Sequence, residues 1–316
     1  MFALVTIQWW HWASFLVLVV FFLALDLGVF HREAHAVRFR EALTWTLVYF
    51  AAALVFGLTL IPVRGVGEAS DFLQGYLIEL SLSMDNVFVI ALIFQFFAVP
   101  AQYQHRVLFW GILGALVMRG LMIGLGTELI RSYHWVLYIF GIFLVITGVK
   151  MLVADDEEEV HPEQNPVLRL ARRFFAVSPE YDEQKFSTVV QGRRVLTPLA
   201  LVLLMVETTD LVFALDSIPA IFGVTTNPFI VFTSNVFAIL GLRSLYFVLA
   251  GAFAYFRKLK YGLAVVLVFI GFKMVIADWL HIPSEVSLAI VVAIITSSML
   301  WSVASARREK GDGRCA

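Results

Sequence analysis

Three carboxylates, Glu207, Asp210 and Asp216, fall within the stretch VETTDLVFALDSIP (206–219), which is otherwise apolar enough to lie in a membrane. Two more, Glu79 and Asp85, stand in IELSLSMDNVFV (78–89). Near the centre of a membrane helix each charge costs about 3 kcal/mol, so five ionised and unpaired acids would cost about 15. Carboxylates in such a place can take protons, pair with arginine or hold a cation. Arg119 and Arg243 lie near the middles of their own apolar segments and serve as charge-balancing partners. Two arginines against five acids leave an excess of negative charge, which points to a cation site. The competing reading is a buried ion-pair network that only joins helices.

The chemistry narrows the cation. The seven histidines, at 11, 31, 35, 105, 134, 161 and 281, fall at span ends or in loops, and the single cysteine is Cys315. A site without imidazole or thiolate disfavours Zn²⁺, Cu⁺ and Ni²⁺ and favours Mn²⁺, Mg²⁺ or Ca²⁺. Met84, beside Asp85, is a possible thioether ligand that Mn²⁺ accepts more readily than the other two; plain packing is the alternative. Haem or iron–sulfur ligation would need paired histidines in spans or several cysteines, so no cofactor is expected. An intramembrane aspartate hydrolase would need a GxGD signature, and the nearest string is GLGT (124–127). No nucleotide-binding motif is present either, so the chain reads as a carrier rather than an enzyme.

The elements that must position these acids follow from composition. Of 316 residues 60% are hydrophobic and 15% charged, and the mean hydropathy is +0.86. The fold class is all-α, a polytopic membrane protein whose partner is the lipid bilayer. A net charge of −1 gives no reason to expect nucleic acid, and nothing specifies a protein partner. Nine apolar runs can span the membrane, at about 10–30, 42–61, 72–98, 107–127, 135–154, 197–222, 229–256, 262–280 and 284–304. The basic connections, HREAHAVRFRE (31–41), 155–195, RKLK (257–260) and the tail, alternate with connections poor in lysine and arginine. The positive-inside rule then puts the N-terminus outside, with Trp9, Trp10 and Trp12 in an outer belt, and the C-terminus in the cytoplasm.

An internal duplication organises the middle of the chain. GVKMLVADD (148–156) matches GFKMVIADW (271–279) at five of nine positions, and Arg119 pairs with Arg243 and DNVF (85–88) with DLVF (210–213) at nearly the same offset. Three spans per copy is an odd number, so the copies must be inverted, and inverted repeats place substrate at the midplane between them. The expected organisation is two N-terminal helices (1–61), a first three-helix repeat (72–154), a cytoplasmic connection (155–195), a second repeat (196–280), a last helix (281–306) and a tail (307–316). The connection opens on the acidic run DDEEE and continues as NPVLRLARRFFAVS, an amphipathic stretch suited to an interfacial helix. KFSTVVQGRRVLTP then alternates around a turn as a hairpin would. Asp216 is nine residues from Glu207, about 180° away on a regular helix. Convergence of the acids therefore predicts a helix broken near Pro219, with Ser81, Ser83 and Asn86 marking a matching interruption in the first copy. Lys150 and Lys273 lie nearer span ends and are expected to snorkel.

Four stretches, LALDLGVFHR (23–32), ELSLSMDNVFVIALIF (79–94), ETTDLVFALDSIPAIF (207–222) and the GFKM element of the second copy, resemble the TerC family of membrane proteins, in its Alx-like branch. The resemblance implies an inner-membrane protein that handles manganese, by export. It also brings an association with tellurite resistance and a redox role without transport. Carried onto this sequence, the family's motif positions imply metal ligation by Glu79, Asp85, Asn86, Glu207, Asp210 and Asp216. Asp26, near the cytoplasmic end of the first span, is implied to support that site or cap the interface rather than ligate.

Overall fold

A computed structural model describes residues 7–28, 39–133, 135–153, 175–190, 192–249, 259–277, 279–280 and 282–312; the side chains of Asp26 and Asp85 lie outside that description. Nine helices run through the described residues. They are α1 (Trp9–Gly28), α2 (Phe39–Arg64), α3 (Val66–Phe96), α4 (Ala101–Ser132), α5 (Val136–Val153), α6 (Pro198–Phe222), α7 (Pro228–Leu249), α8 (Leu259–Val275) and α9 (Ser284–Asp312). Between α5 and α6 stand two short strands, β1 (Ser187–Val190) and β2 (Arg193–Leu196). Each apolar run of the sequence holds one helix, because hydrocarbon offers no partner for a free peptide group. Seven of the nine are long and apolar enough to cross a membrane. Leu58, Leu125, Ile146 and Leu300 point outward from the bundle, as residues facing acyl chains should.

At the centre is α7, buried along almost its whole length and packed by α2, α3 and α4. The most extensive pairing joins α5 to α8. A Cβ added at Gly271 would lie 2.5 Å from the carbonyl oxygen of Gly141, and one at Gly141 would lie 2.8 Å from that of Gly271. About two turns further on, a Cβ at Gly148 would lie 2.7 Å from the carbonyl oxygen of Ala264. Backbones this close need small residues, the means by which helices pack tightly when no hydrophobic force acts between them.

The expected break in the acid-bearing helices does not occur. α6 runs unbroken through Glu207, Asp210 and Asp216, and α3 through Ser81, Ser83 and Asn86. Pro219 stands three residues from the end of α6, so its missing amide affects only the last turn. Thr208 and Thr209 donate their hydroxyls to the carbonyls of Leu204 and Met205 in the same helix. Unwinding would orphan backbone groups in hydrocarbon, and Arg119 reaches both Glu79 and Asp210 without it.

β1 and β2 pair antiparallel, Ser187 opposite Leu196 and Val190 opposite Arg193, around a turn in which Gly192 has a φ of 76°. The segment leading into them seats on the corner between α3 and α4. The Tyr181 hydroxyl donates to the Phe97 carbonyl at 2.7 Å, and the Arg106 guanidinium lies 5.2 Å from the centre of the Phe186 ring. Burial pushes the Tyr181 hydroxyl pKa up. Hydrogen bonds from Thr188 and Lys185 hold the Asp182 carboxyl below its ordinary value. The DDEEE run and most of the expected interfacial helix lie outside the described residues.

Candidate metal centre

Four helices bring their polar side chains to one buried place beside α7. Arg119 of α4 is its hub. Its Nε and Nη2 donate side-on to Asp210 of α6, at 3.3 Å to Oδ2 and 2.8 Å to Oδ1, a paired geometry that suits guanidinium and carboxylate. Its Nη1 donates to Glu79 of α3 and reaches Ser217 Oγ at 3.4 Å and Asn235 Oδ1 at 3.3 Å. Asn235 of α7 donates in turn to Glu79 Oε2 at 3.1 Å, and Asn86 donates to Asp210 Oδ1 at 2.8 Å. Glu79, Arg119 and Asp210 are 1%, 3% and 4% exposed. At that depth a lone charge would be untenable, so both carboxylates are held through the same arginine.

Other site residues are disposed around this hub. Glu207, one turn before Asp210 on α6, is half-buried and interacts electrostatically with Asp210. Its carboxylate occupies the space a side chain at Gly114 of α4 would fill. Among the described residues no hydrogen bond or ion pair reaches it. The Oδ1 of Asn86 is likewise buried without a hydrogen-bond partner. It borders a cavity of about 10 Å³ that Asp210, Arg243, Gly111 and Val206 also line, room for roughly one water-sized centre. Asp216 faces elsewhere, toward Thr147 and Lys150 of α5. The 180° separation on the helix is therefore preserved, and Asp216 does not join Glu79 and Asp210. Met84 packs against the apolar cluster formed by Val87, Val202 and Leu245. Lys150 is exposed, but Lys273 turns inward to Ser287 instead of snorkelling. Among the described residues no three His, Cys, Asp or Glu side chains gather closely enough to hold a metal.

Asn235 and Ser217 belong to the network although the sequence reading passed over them. Their signal was available: Asn235 is an amide in the middle of an apolar span, and polar groups there seldom lack a partner.

The family model for integral membrane proteins of the TerC family matches residues 65–310. The chain belongs to the TerC family. Within it the chain lies in the Alx-like branch. It is 47% identical over 298 residues to an Escherichia coli K12 protein named as a membrane-bound redox modulator, Alx, with 92% of each chain covered. It is 52% identical over 296 residues to an uncharacterised membrane protein of Myxococcus xanthus, covering 94% of this chain and 92% of the relative. A Rickettsia felis membrane protein is 39% identical over 92% of this chain and 97% of its own. No solved structure matches. In this TerC protein Glu79 of α3 and Asp210 of α6 are joined through Arg119.

Proposed function

We propose that this TerC protein is a secondary transporter that exports a divalent metal, Mn²⁺, from the cytoplasm across the inner membrane in exchange for protons. It needs no resident cofactor. The observation that carries the reading is Glu207, a half-buried carboxylate beside Asp210 with neither hydrogen bond nor ion pair among the described residues. A network serving only to join helices would have no use for an unpaired acid in a membrane interior. The partnerless Oδ1 of Asn86 and the small cavity next to Asp210 supply a further oxygen and the space for a small ion. Carboxylate and amide oxygens suit Mn²⁺, Mg²⁺ and Ca²⁺ over softer or imidazole-seeking ions.

In this arrangement Arg119 stands in for the metal, neutralising Glu79 and Asp210 while none is bound. Metal arriving at Glu207 and Asn86 would compete with the guanidinium for Asp210, and loss of the Arg119 tie would free α4 to move against α6. The motion would follow an inverted-repeat architecture, with α3, α4 and α5 as one copy and α6, α7 and α8 as the other. Two contacts favour that relation. The approach of Gly141 to Gly271 has its counterpart in that of Gly148 to Ala264, at the offset of 123 that relates the two GxKM elements. The packing of α3 on α7 likewise has its counterpart in that of α4 on α6. The N-terminus would be periplasmic and the C-terminus cytoplasmic.

The test is Mn²⁺ flux into proteoliposomes or inverted vesicles, with Mg²⁺, Ca²⁺ and Zn²⁺ as competitors. Glu207→Gln and Asp210→Asn should abolish flux in folded protein. Parent-like flux in folded Glu207→Gln would remove the observation on which the reading stands, and Zn²⁺ outcompeting Mn²⁺ would remove the choice of metal. The name of the Alx relatives suggests instead a redox role. That role would require a bound electron carrier, which an absorption spectrum of the purified protein would reveal.

A further inference from the structure

A second polar cluster stands at the opposite end of α3 from the hairpin, apart from the Arg119 network. Ser284 of α9, Thr225 in the turn between α6 and α7, and Lys273 of α8 are the polar neighbours of Asp71 of α3. One turn along α3, Gln74 is fully buried and donates its amide to Ser287 of α9 at 2.7 Å. Lys273 Nζ reaches the same hydroxyl at 3.4 Å. Two oxygens here are buried without a hydrogen-bond partner, Oδ1 of Asp71 and Oε1 of Gln74. Residues three apart on a helix are neighbours on one face, with Cβ atoms about 5–6 Å apart. Acceptors without a donor are costly to bury, and on one helix face a single added hydrogen can be shared between residues three apart.

We propose that Asp71 is a proton-binding site in which Lys273 supplies the counter-charge and Gln74 Oε1 accepts the hydrogen bond of the bound proton. An O–H bond forms at Asp71 Oδ1 with a proton taken from the water phase at this end of the bundle, and it breaks when that proton leaves; no other bond changes. A metal ion is the poorer occupant, because Lys273 already neutralises the carboxylate and two further positive charges would be uncompensated. Among the described residues two further acids stand nearby. Glu68 on α3 is held by Arg64 of α2 at 2.7 Å and by Asn227 at 3.2 Å, and Glu285 in the first turn of α9 is exposed. Helix α9 and the α6–α7 turn otherwise present hydroxyls. If the transport reading of the preceding subsection holds, this is the site that couples proton movement to metal movement.

Infrared difference spectroscopy between acid and alkaline pH, on the full chain in lipid, tests the site without any flux measurement. The parent should show a protonated-carboxyl band that Asp71→Asn removes and Gln74→Leu shifts in frequency, while Lys273→Arg, which keeps the charge, retains it. Carboxyl bands unchanged in Asp71→Asn would overturn the proposal. In vesicles with an imposed pH gradient, the ratio of Mn²⁺ flux with the gradient to flux without it should fall to unity in Asp71→Asn and stay at the parent value in Lys273→Arg. A parent-like ratio in Asp71→Asn would overturn the coupling role. A parent that moves no Mn²⁺ would end the transport reading while leaving the infrared band to decide the proton site.

Discussion

Around Arg119, helices α3, α4, α6 and α7 meet through charged and amide groups whose hydrogen bonds have direction and alternatives. Along the α5–α8 seam two backbones approach where Gly141, Gly148 and Gly271 leave nothing between them. In lipid neither contact gains from the hydrophobic effect, since acyl chains are as apolar as leucine. The seam gains dispersion and keeps a single arrangement. The network gains from charges that must be neutralised by something, and the something can be exchanged. A molecule that has to change shape around a fixed frame can use the second kind of contact at the moving part and the first at the frame.

The most severe way to break this contrast is Arg119→Gln, which strands Glu79 and Asp210. It should cost about 3–5 kcal/mol and depress folded yield in detergent. Replacing the trio together, Arg119→Met with Glu79→Leu and Asp210→Leu, should restore folding without restoring flux, because apolar residues of similar size can replace a buried ion-pair network in a fold. Recovery of flux in that triple variant would reduce the network to packing. At the seam, Gly271→Val should cost roughly 1–3 kcal/mol by overpacking, read as a lower unfolding temperature. Gly124→Val, at a position with nothing within 4 Å of an added Cβ, should change it little. A smaller effect is expected of Met84→Ala, about 1 kcal/mol for a partly buried side chain, with the preference among Mn²⁺, Mg²⁺ and Ca²⁺ unchanged if the residue only packs. The smallest concerns the hairpin. Since the Asp182 carboxyl is held below its ordinary value, its hydrogen bonds contribute fully above the ordinary carboxylate range and are lost as pH falls through the lowered value. Protection from amide exchange, measured against the intrinsic rate at each pH, should therefore fall in acid around residues 182–188 while protection in α7 does not.

The nine helices were legible, seven of them long and apolar enough to cross a membrane, because hydrocarbon imposes one rule on every residue of a crossing segment, and average apolarity reports it. The angular separation of Glu207 and Asp216 was legible too, as helix geometry fixes it. What failed was the inference that the acids had to converge and the helix therefore had to break. Sequence spacing places side chains around one helix but does not say which neighbour faces them. The turn of Asp216 toward Thr147, and the service of both Glu79 and Asp210 by one arginine, depend on how α4 and α5 lie beside α6. Asn235 could have been found by asking where every mid-span amide sends its hydrogen bonds. Asp71 and Gln74 were hidden differently, since they stand at the start of a span, where polar residues usually face water.

The near-complete burial of α7 bears on how the protein is made. This segment carries Thr233, Ser234, Asn235 and Arg243, and all four are enclosed by neighbouring helices once the bundle is assembled. A helix with such residues gains little by leaving the insertion machinery for bare lipid. Its stable surroundings are the grooves of α2, α3 and α4, all synthesised earlier. The ribosome therefore completes the segment with the poorest lipid affinity after its receptor already exists in the bilayer, and the order of synthesis does the work of a chaperone.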